Sequence, residues 1–344
     1  MSTHRLRPIL FLALSATLAV VAVSSNCDRK TAGGSIPLRL GWQPPWANQG
    51  QIVEVLKHTD VLTRNGVRLE YRAFTYGGPM TEAALAGELD ILFVGDQPAI
   101  TLISRDPSWR IVARMVNFRS AFLVPPGSPI KTLKDLTGKK VATAFGSTTH
   151  RDAVRILSEG GLEVGKDVQL VNLDQAEHAG VIARGGTNAW GDIAAIATYD
   201  PTIGVTVQGG QARVLKEWVS PGAVVAKDSI IRERPDDLKR FLQAYIQAFP
   251  IYAHDPGRFN ALYSEDSRLP LPNEVYSSMA ACEPNLSAPD AQSVNILLSA
   301  QQQENLQLNA DTAVKIGIIK HAVKMSDYVD LLIAEEATKQ VQAK

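Results

Sequence analysis

From Ile36 onward the chain alternates short runs of strand type with longer runs of helix type, and this alternation restricts it to α/β layers around mainly parallel sheets. Ile36–Gly41 reads as a strand and Ala47–Lys57 as a helix. Val67–Ala73 follows as a strand with Val67, Leu69, Tyr71 and Ala73 on one face, after a turn at Asn65 and Gly66. Gly78 and Pro79 open a helix that runs through Ala86, with the proline where no backbone donor is required, and Ile91–Val94 is the next strand. A second set of the same units follows the turn residues Pro125, Pro126 and Gly127. Its strands are Val141–Phe145, Val168–Asn172 and Ile193–Ala197, and its helices are Thr148–Glu159 and Glu177–Arg184. The strands are short and apolar enough to be buried on both faces of a parallel sheet. After Leu215 a strand at Gly222–Ala226 leads into helices almost to the end. In Pro235–Phe249 the residues Leu238, Phe241, Leu242, Tyr245, Ile246 and Phe249 fall at helical spacing. Further helices are expected at Asn273–Cys282, Asp290–Asn305, Ala313–Lys324 and Ser326–Gln340, and no repeat of solenoid period is evident.

The N-terminus has a different grammar. His4, Arg5 and Arg7 precede a mainly apolar run from Ile9 to Val23, followed by Ser24, Ser25, Asn26 and Cys27, the order of a secretory signal. The run is shorter than the roughly 20 residues a helix needs to cross a hydrocarbon core, so a cleaved leader over residues 1–26 is expected. Cys27 stands where a lipid-attachment cysteine would, although Ser24 and Asn26 depart from the usual surroundings. Either Cys27 is acylated, giving membrane contact through a lipid anchor, or cleavage occurs nearby and the cysteine is incidental. Residues 27–35, with Thr31, Gly33 and Gly34, read as a tether. Cys282 is the only other cysteine, so stability is expected from core burial and not from a disulfide. Removing the leader from 344 residues leaves 344 − 26 = 318, enough for two domains of ~100–200 residues each. The 35 basic and 35 acidic residues cancel, and no basic stripe interleaved with aromatics appears, so nucleic acid is not an expected partner.

Candidate binding residues cluster where strands run into helix-starting turns, the edge at which open α/β sheets bind ligands. In Val141-Ala-Thr-Ala-Phe-Gly-Ser-Thr-Thr-His150, Gly146 suits a tight turn and Ser147 a helix cap. The backbone donors of Thr148, Thr149 and His150, together with the hydroxyls of Ser147, Thr148 and Thr149, suit an anion such as a sulfonate or carboxylate, and plain capping by Ser147 explains the motif equally well. In Phe93-Val-Gly-Asp-Gln-Pro98, Asp96 and Gln97 either cap a helix or hydrogen-bond a ligand or the facing lobe. In Ile196-Ala-Thr-Tyr-Asp-Pro201, Asp200 has the capping place and Tyr199 sits at the strand edge, able to stack on a ligand. Trp42, Gln43 and Trp46 follow the first strand as a candidate aromatic wall, or as a lid over the core, and Tyr76 and Gly77 end the next strand as candidate additions to it. No metal-type His or Cys spacing, nucleophile elbow, phosphate loop or dinucleotide fingerprint is present, so no catalytic residue, cofactor or metal is expected.

Several linked segments resemble the periplasmic solute-binding proteins of ABC importers, in the branch for sulfonates, nitrate and taurine. They are Glu82-Ala-Ala-Leu-Ala-Gly-Glu-Leu-Asp-Ile-Leu-Phe-Val-Gly-Asp-Gln-Pro-Ala99, the stretch from Ser128 to Ala142 with Gly146-Ser-Thr-Thr-His150, Tyr199-Asp-Pro201 before Ala212-Arg-Val-Leu215, and Arg234–Tyr245. The order and spacing carry the likeness, which extends from Leu38 to about Ala337. Trp190-Gly-Asp192 and Trp42-Gln-Pro-Pro-Trp46 depart from the pattern and leave the ligand open. The resemblance implies a two-lobed type II binding-protein fold, each lobe a mostly parallel sheet flanked by helices, joined by two chain crossings. Lobe one would hold 36–122 and 222–344, with lobe two, 123–221, inserted. It also implies a monomer in the periplasm or on the outer face of the cytoplasmic membrane, binding a small, anionic solute between its lobes for an importer permease and ATPase. Two other readings share the fold: an enzyme like the thiamine-pyrimidine synthases or those of the menaquinone pathway, and a sensory binding protein. The leader and the lack of a cysteine-rich motif speak against the enzyme.

Overall fold

The computed structural model describes residues 36–343, so the expected leader, the Cys27 lipid site and the 27–35 tether lie outside the described residues. Ten strands follow in chain order. They are β1 (Leu38–Trp42), β2 (Leu69–Ala73), β3 (Ile91–Gly95), β4 (Trp109–Arg114), β5 (Phe118–Val124), β6 (Lys140–Thr143), β7 (Gln169–Asn172), β8 (Ile193–Tyr199), β9 (Arg213–Ser220) and β10 (Gly222–Lys227). They form two five-stranded sheets, ordered β2-β1-β3-β10-β4 and β7-β6-β8-β5-β9. In the first, β1 is parallel to β2 and β3 while β10 is antiparallel to β3 and β4. In the second, β6 is parallel to β7 and β8 while β5 is antiparallel to β8 and β9. Four strands of each sheet therefore run alike, and the odd one is the strand that has just crossed from the other sheet.

The chain crosses at residues 115–117 and returns at Pro221. The expected first boundary at 123 falls inside β5. Met115, Val116 and Asn117 contain no glycine or proline, and the Pro125-Pro126-Gly127 turn that suggested a boundary sits past the end of that strand. The expected alternation otherwise missed β4, β5 and β9 as strands, together with the helix Pro256–Ser267.

Why the sheets are covered follows from their faces. Every residue of β3 is buried, whereas β2, with Glu70 and Arg72, is a partly exposed edge. One face of the first sheet packs on the helix Pro235–His254, where Phe93 meets Phe241 and Tyr245 at ring distances of 5.8 and 5.2 Å. Its other face, with Leu92, Val94, Ile111 and Val225, meets the helices Asp96–Arg105 and Ala300–Lys315. In the second sheet Phe122 and Val141 pack on Ile156 and Leu157, and Ala121, Leu123 and Ile196 pack on Ile182 and Ile203.

The C-terminal helices differ from the expected ones. Ser299 and Gln302 form a reciprocal capping box that starts a helix at Ala300, not Asp290, and it ends at Lys315, shortly before Gly317 at φ 76°. The expected Ala313–Lys324 helix is replaced by that terminus and the turns after it, and the last helix is Leu332–Gln342.

Candidate functional site

The strand-end turns of both sheets meet across a small cavity with an empty volume of about 250 Å³. It is lined by Gln43, Trp46, Gly77, Gly95, Pro98 and Phe118, with Ser147, Thr148, Thr149 and Tyr199 facing them. The lobes are closed upon it: Thr75 Oγ1 donates to Asp174 Oδ2 at 3.0 Å, and Thr148 Oγ1 to Asp96 Oδ1 at 2.9 Å, each bond joining the two lobes.

No lining residue carries a formal charge, yet the wall is rich in donors. Ser147 caps the helix Thr148–Glu159, its hydroxyl oxygen accepting the His150 N–H at 3.1 Å, which leaves the hydroxyl proton free to donate. Capping and ligand binding are thus compatible for this residue. The N–H groups of Thr148 and Thr149 find no acceptor among the described residues, as the first turn of a helix dictates. Three further helices begin at the cavity, at Ala47, Gly77 and Asp96, so their N-terminal dipole ends converge on it. Trp46 Nε1 and Tyr199 Oη are buried without a hydrogen-bond partner among the described residues, on residues only 2% and 3% exposed. Native interiors rarely leave such donors unmade. Burial pushes the Tyr199 phenol far above its ordinary value, so it stays protonated and is a donor.

The aromatic wall is built differently from the sequence reading. Trp46 stacks obliquely on Phe118 at 4.4 Å, and Phe118 meets Tyr199 edge-on at 5.5 Å. Trp42 does not line the cavity. It shares a face of β1 with Leu38 and Leu40, and strand alternation turns it into the core, with Lys57 Nζ 4.1 Å from its ring centroid. Gln43 does line the cavity, its Nε2 donating to the Phe93 carbonyl at 3.3 Å. Tyr76 lies against Gly78, outside the lining. Asp96 and Gln97 stand just behind it, Gln97 N–H donating to Thr148 Oγ1 at 3.1 Å. Asp200 is engaged with Arg119, which donates through Nε at 2.8 Å, and with the Gly204 N–H at 3.1 Å. The Thr148 hydroxyl is held by Asp96 and that of Thr149 lies 3.1 Å from Ser120 Oγ, so these threonines offer mainly backbone donors.

Sequence reasoning missed Phe118, because its strand was not recognised. It read Gly77 as a neighbour of the wall and Gly95 and Pro98 only as turn residues, and it missed Arg151, which follows the Ser147–His150 motif directly. Gly77 and Gly95 have a signal only in three dimensions: a Cβ on Gly77 would lie 2.2 Å from Pro98 Cγ, and one on Gly95 would lie 2.3 Å from Thr148 Oγ1. His150 is directed elsewhere, stacked on Phe145 at 4.5 Å, and burial pushes it down to about 4, so it is neutral and no counter-ion. A wider groove of about 1,110 Å³ lies among Tyr252, Asn260 and Tyr276. Its phenols are already satisfied, by Asn260 Oδ1 at 2.9 Å and the Asn260 carbonyl at 3.0 Å, so it lacks the donor excess of the interlobe cavity.

Two sheet-and-helix lobes joined by two crossings and closed on a cavity define the fold of a periplasmic binding protein. Residues 58–197 match the family model described as ABC transporter, phosphonate, periplasmic substrate-binding protein. A putative aliphatic sulfonates-binding protein of Escherichia coli K12 is 31% identical over 217 residues, covering 62% of this chain and 63% of that one. The alignment thus spans somewhat less than two thirds of that relative. A protein of the same description from Bacillus subtilis 168 is 23% identical over 334 residues, or 94% and 96% of the two chains. Among solved structures, the alkanesulfonate-binding protein of Xanthomonas axonopodis pv. citri bound to MOPS superposes with a TM-score of 0.70 at 21% identity, covering 85% of this chain and 97% of that one. The chain is thus similar to the periplasmic substrate-binding proteins of ABC transporters, over residues 58–197 by the family model and over most of its length by the Bacillus subtilis relative.

Proposed function

We propose that this chain is the extracytoplasmic binding component of an ABC importer and captures a small sulfonate-type anion between its lobes. The observation that carries the reading is that Trp46 and Tyr199, whose buried Nε1 and Oη have no partner among the described residues, line one uncharged cavity together with the N-terminus of helix Thr148–Glu159. An anionic oxygen would satisfy each of them. The names of the relatives, putative aliphatic sulfonates-binding proteins, agree with this chemistry.

The magnitudes are sufficient. Micromolar capture needs about 8 kcal/mol. A hydrogen bond to a charged group contributes about 1.5–3 kcal/mol, and a helix N-terminus about 0.3–1, or ~2 when partly buried. Two orphan donors, the Ser147 hydroxyl and one N-terminus reach that range together, whereas no single one does. Since the donors lie on both lobes, the solute is held fully only when they close, which gives an importer a shape to read.

The test is a calorimetric and thermal-shift series with propanesulfonate, propanephosphonate, butyrate, nitrate and taurine. A ligand at 100 times its dissociation constant should stabilise the protein by ~2.7 kcal/mol. Propanesulfonate is expected to bind, and Ser147→Ala to weaken it; if it binds and neither Ser147→Ala nor Tyr199→Phe alters its affinity, the cavity is not the site. The same reading makes the chain a monomer delivered to a permease and ATPase, with Cys27 as its lipid anchor. Globomycin-sensitive processing and loss of membrane association in Cys27→Ser test that anchor.

A further inference from the structure

The donors gathered at the cavity suit the anionic end of a solute, and one lining side chain offers the opposite polarity. Gln43, only 4% exposed, follows β1 on the first lobe and lies across the cavity from the N-terminus of helix Thr148–Glu159 on the second. Its neighbours fix its orientation. The Phe93 carbonyl accepts from Gln43 Nε2 at 3.3 Å and from Gln49 Nε2 at 3.1 Å, while Gln49 Oε1 accepts the main-chain N–H of Gln43. A carbonyl can accept only from the nitrogen of the Gln43 amide, so Oε1 is the end turned away from Phe93. No donor among the described residues reaches that oxygen, yet it is not sealed inside the protein. It borders open space, and the open space that Gln43 lines is the cavity.

A donor on the solute would satisfy this acceptor, and the surroundings decide which kind. No lining residue carries a formal charge, and the carboxylate just behind the wall is saturated. Asp96 Oδ2 accepts from Arg151 Nη1 and from Asn309 Nδ2, each at 2.7 Å, and Asp96 Oδ1 accepts from Thr148 Oγ1 at 2.9 Å. Arg151 is held in turn by Asp152 Oδ1, with Nη2 at 2.8 Å and Nε at 3.2 Å. An ammonium group on the solute would therefore be buried without a counter-charge. A hydroxyl makes the same hydrogen bond with no charge to desolvate, and a methyl group in its place leaves Oε1 unmade.

We propose that Gln43 is a specificity-determining residue, which selects among small sulfonates those that carry a neutral hydroxyl at the end away from the sulfonate. This inference rests on the capture reading and narrows its solute. The sulfonate meets the helix N-terminus of the second lobe while the hydroxyl meets Gln43 on the first, so one solute engages both lobes through its two ends. A site that hydrogen-bonds a hydroxyl rejects the analogue lacking it more sharply than an apolar pocket rejects a missing methylene, because the site's own buried group is left unpaired.

The experiment uses 2-hydroxyethanesulfonate, propanesulfonate and taurine, which differ only in whether the two-carbon sulfonate ends in a hydroxyl, a methyl or an ammonium group. In calorimetric titration of the full-length protein at about pH 7, the hydroxyl compound is expected to bind roughly 10- to 100-fold more tightly than either of the others. Gln43→Met keeps the length of the side chain and removes the acceptor, while Gln49 still serves the Phe93 carbonyl. It is expected to bring 2-hydroxyethanesulfonate and propanesulfonate within about threefold of each other, by weakening the first and strengthening the second. Gln43→Glu, which sets a carboxylate in the same place, is expected to reverse the order of 2-hydroxyethanesulfonate and taurine, and decides the matter if Gln43→Met does not fold. Parent affinities within about threefold for the hydroxyl and methyl compounds, or a preference that Gln43→Met retains, overturn the assignment. So does a preference for propanephosphonate over propanesulfonate that Gln43→Met removes, since the acceptor then serves a P–OH of the anionic head. If none of the sulfonates binds, the capture reading fails and this inference with it, whereas binding without discrimination refutes Gln43 alone and leaves that reading standing.

Discussion

Gly95→Ala places a single methyl group into the seam between the lobes. Gly95 has φ −68° and ψ 160°, a conformation alanine adopts without strain, so the perturbation is purely one of contact. Its Cβ would lie 2.3 Å from Thr148 Oγ1 on the opposite lobe, whereas ordinary contact begins at 3.4 Å, so the two must separate by 3.4 − 2.3 = 1.1 Å. Whether the lobe retreats or Thr148 rotates, the bonds from Thr148 to Asp96 and from the Gln97 N–H to Thr148 are lost. One is a neutral bond of about 0.5–1.5 kcal/mol and the other is made to a carboxylate, about 1.5–3. The closed form is therefore disfavoured by about 2–4 kcal/mol, on the order of 30- to several-hundred-fold. Calorimetric titration with propanesulfonate should show affinity falling by a factor in that range, limited by how closed the parent is. The melting temperature of solute-free protein should hardly change, because the packing within each lobe is untouched. Adding Thr148→Ala to Gly95→Ala should cost little more, since both act on the same contact. Affinity within threefold of the parent, together with an unchanged lobe separation, would refute the closed seam as the determinant of binding.

Trp46→Phe and Tyr199→Phe each remove a donor that is unpartnered without solute, so solute-free stability should hold or rise while propanesulfonate affinity falls roughly 10- to 100-fold; parallel loss of stability and affinity would show that the donors serve the fold instead. His178 is fully buried, and burial pushes it down to about 4, below the ~6.5 of an unfolded chain. The unfolded state takes the proton first, so this contribution is complete above about pH 6.5 and is lost as pH falls towards 4; urea unfolding should show about 1–2 kcal/mol less stability at pH 5 than at pH 7, with a shallower slope in His178→Gln. Glu283 receives both Arg114 nitrogens, at 2.7 and 3.1 Å, and the Asn117 N–H at 2.7 Å beside the first crossing. Glu283→Leu strands a buried guanidinium and should cost about 3–5 kcal/mol in denaturant unfolding, while the double variant Arg114→Met/Glu283→Leu should recover part of it.

The architecture was legible because it rests on period and punctuation. Buried strands such as Ile91–Gly95 are continuous apolar runs, and turns such as Asn65-Gly66 mark themselves. Where those signals fail, so did the expectation. The crossing at Met115-Val116-Asn117 has no breaker, and β9, with Lys216 and Glu217 exposed, looks like neither a buried strand nor a helix. The C-terminal helices shifted because the Ser299–Gln302 box outweighs Asp290, which caps only a short 3₁₀ turn.

The candidate site was legible to the extent that it uses strand ends. Gln43, Trp46, Ser147, Thr148, Thr149 and Tyr199 were all identified as strand-end residues, and the structure brings them to one cavity. Trp42 shows the limit of that argument. Proximity in sequence suggested one wall with Trp46, but β1 sends its residue 42 to the core, and only the loop after it is free to present a ring to the cleft. The properties that give the cavity its chemistry are not local at all. A tryptophan N–H becomes informative only when the surrounding structure offers it no acceptor, and an arginine beside the proposed anion site stops being a counter-ion only when two carboxylates are seen to hold it. Asp96 and Arg151 lie 55 positions apart and on different lobes, so neither residue reveals from its own neighbourhood that it is neutralised. It is this pairing that leaves hydrogen-bond donors and helix dipoles to act on the solute. Under the proposed capture of an anion, recognition depends on where the anion's oxygens fall, more than on how much charge it carries.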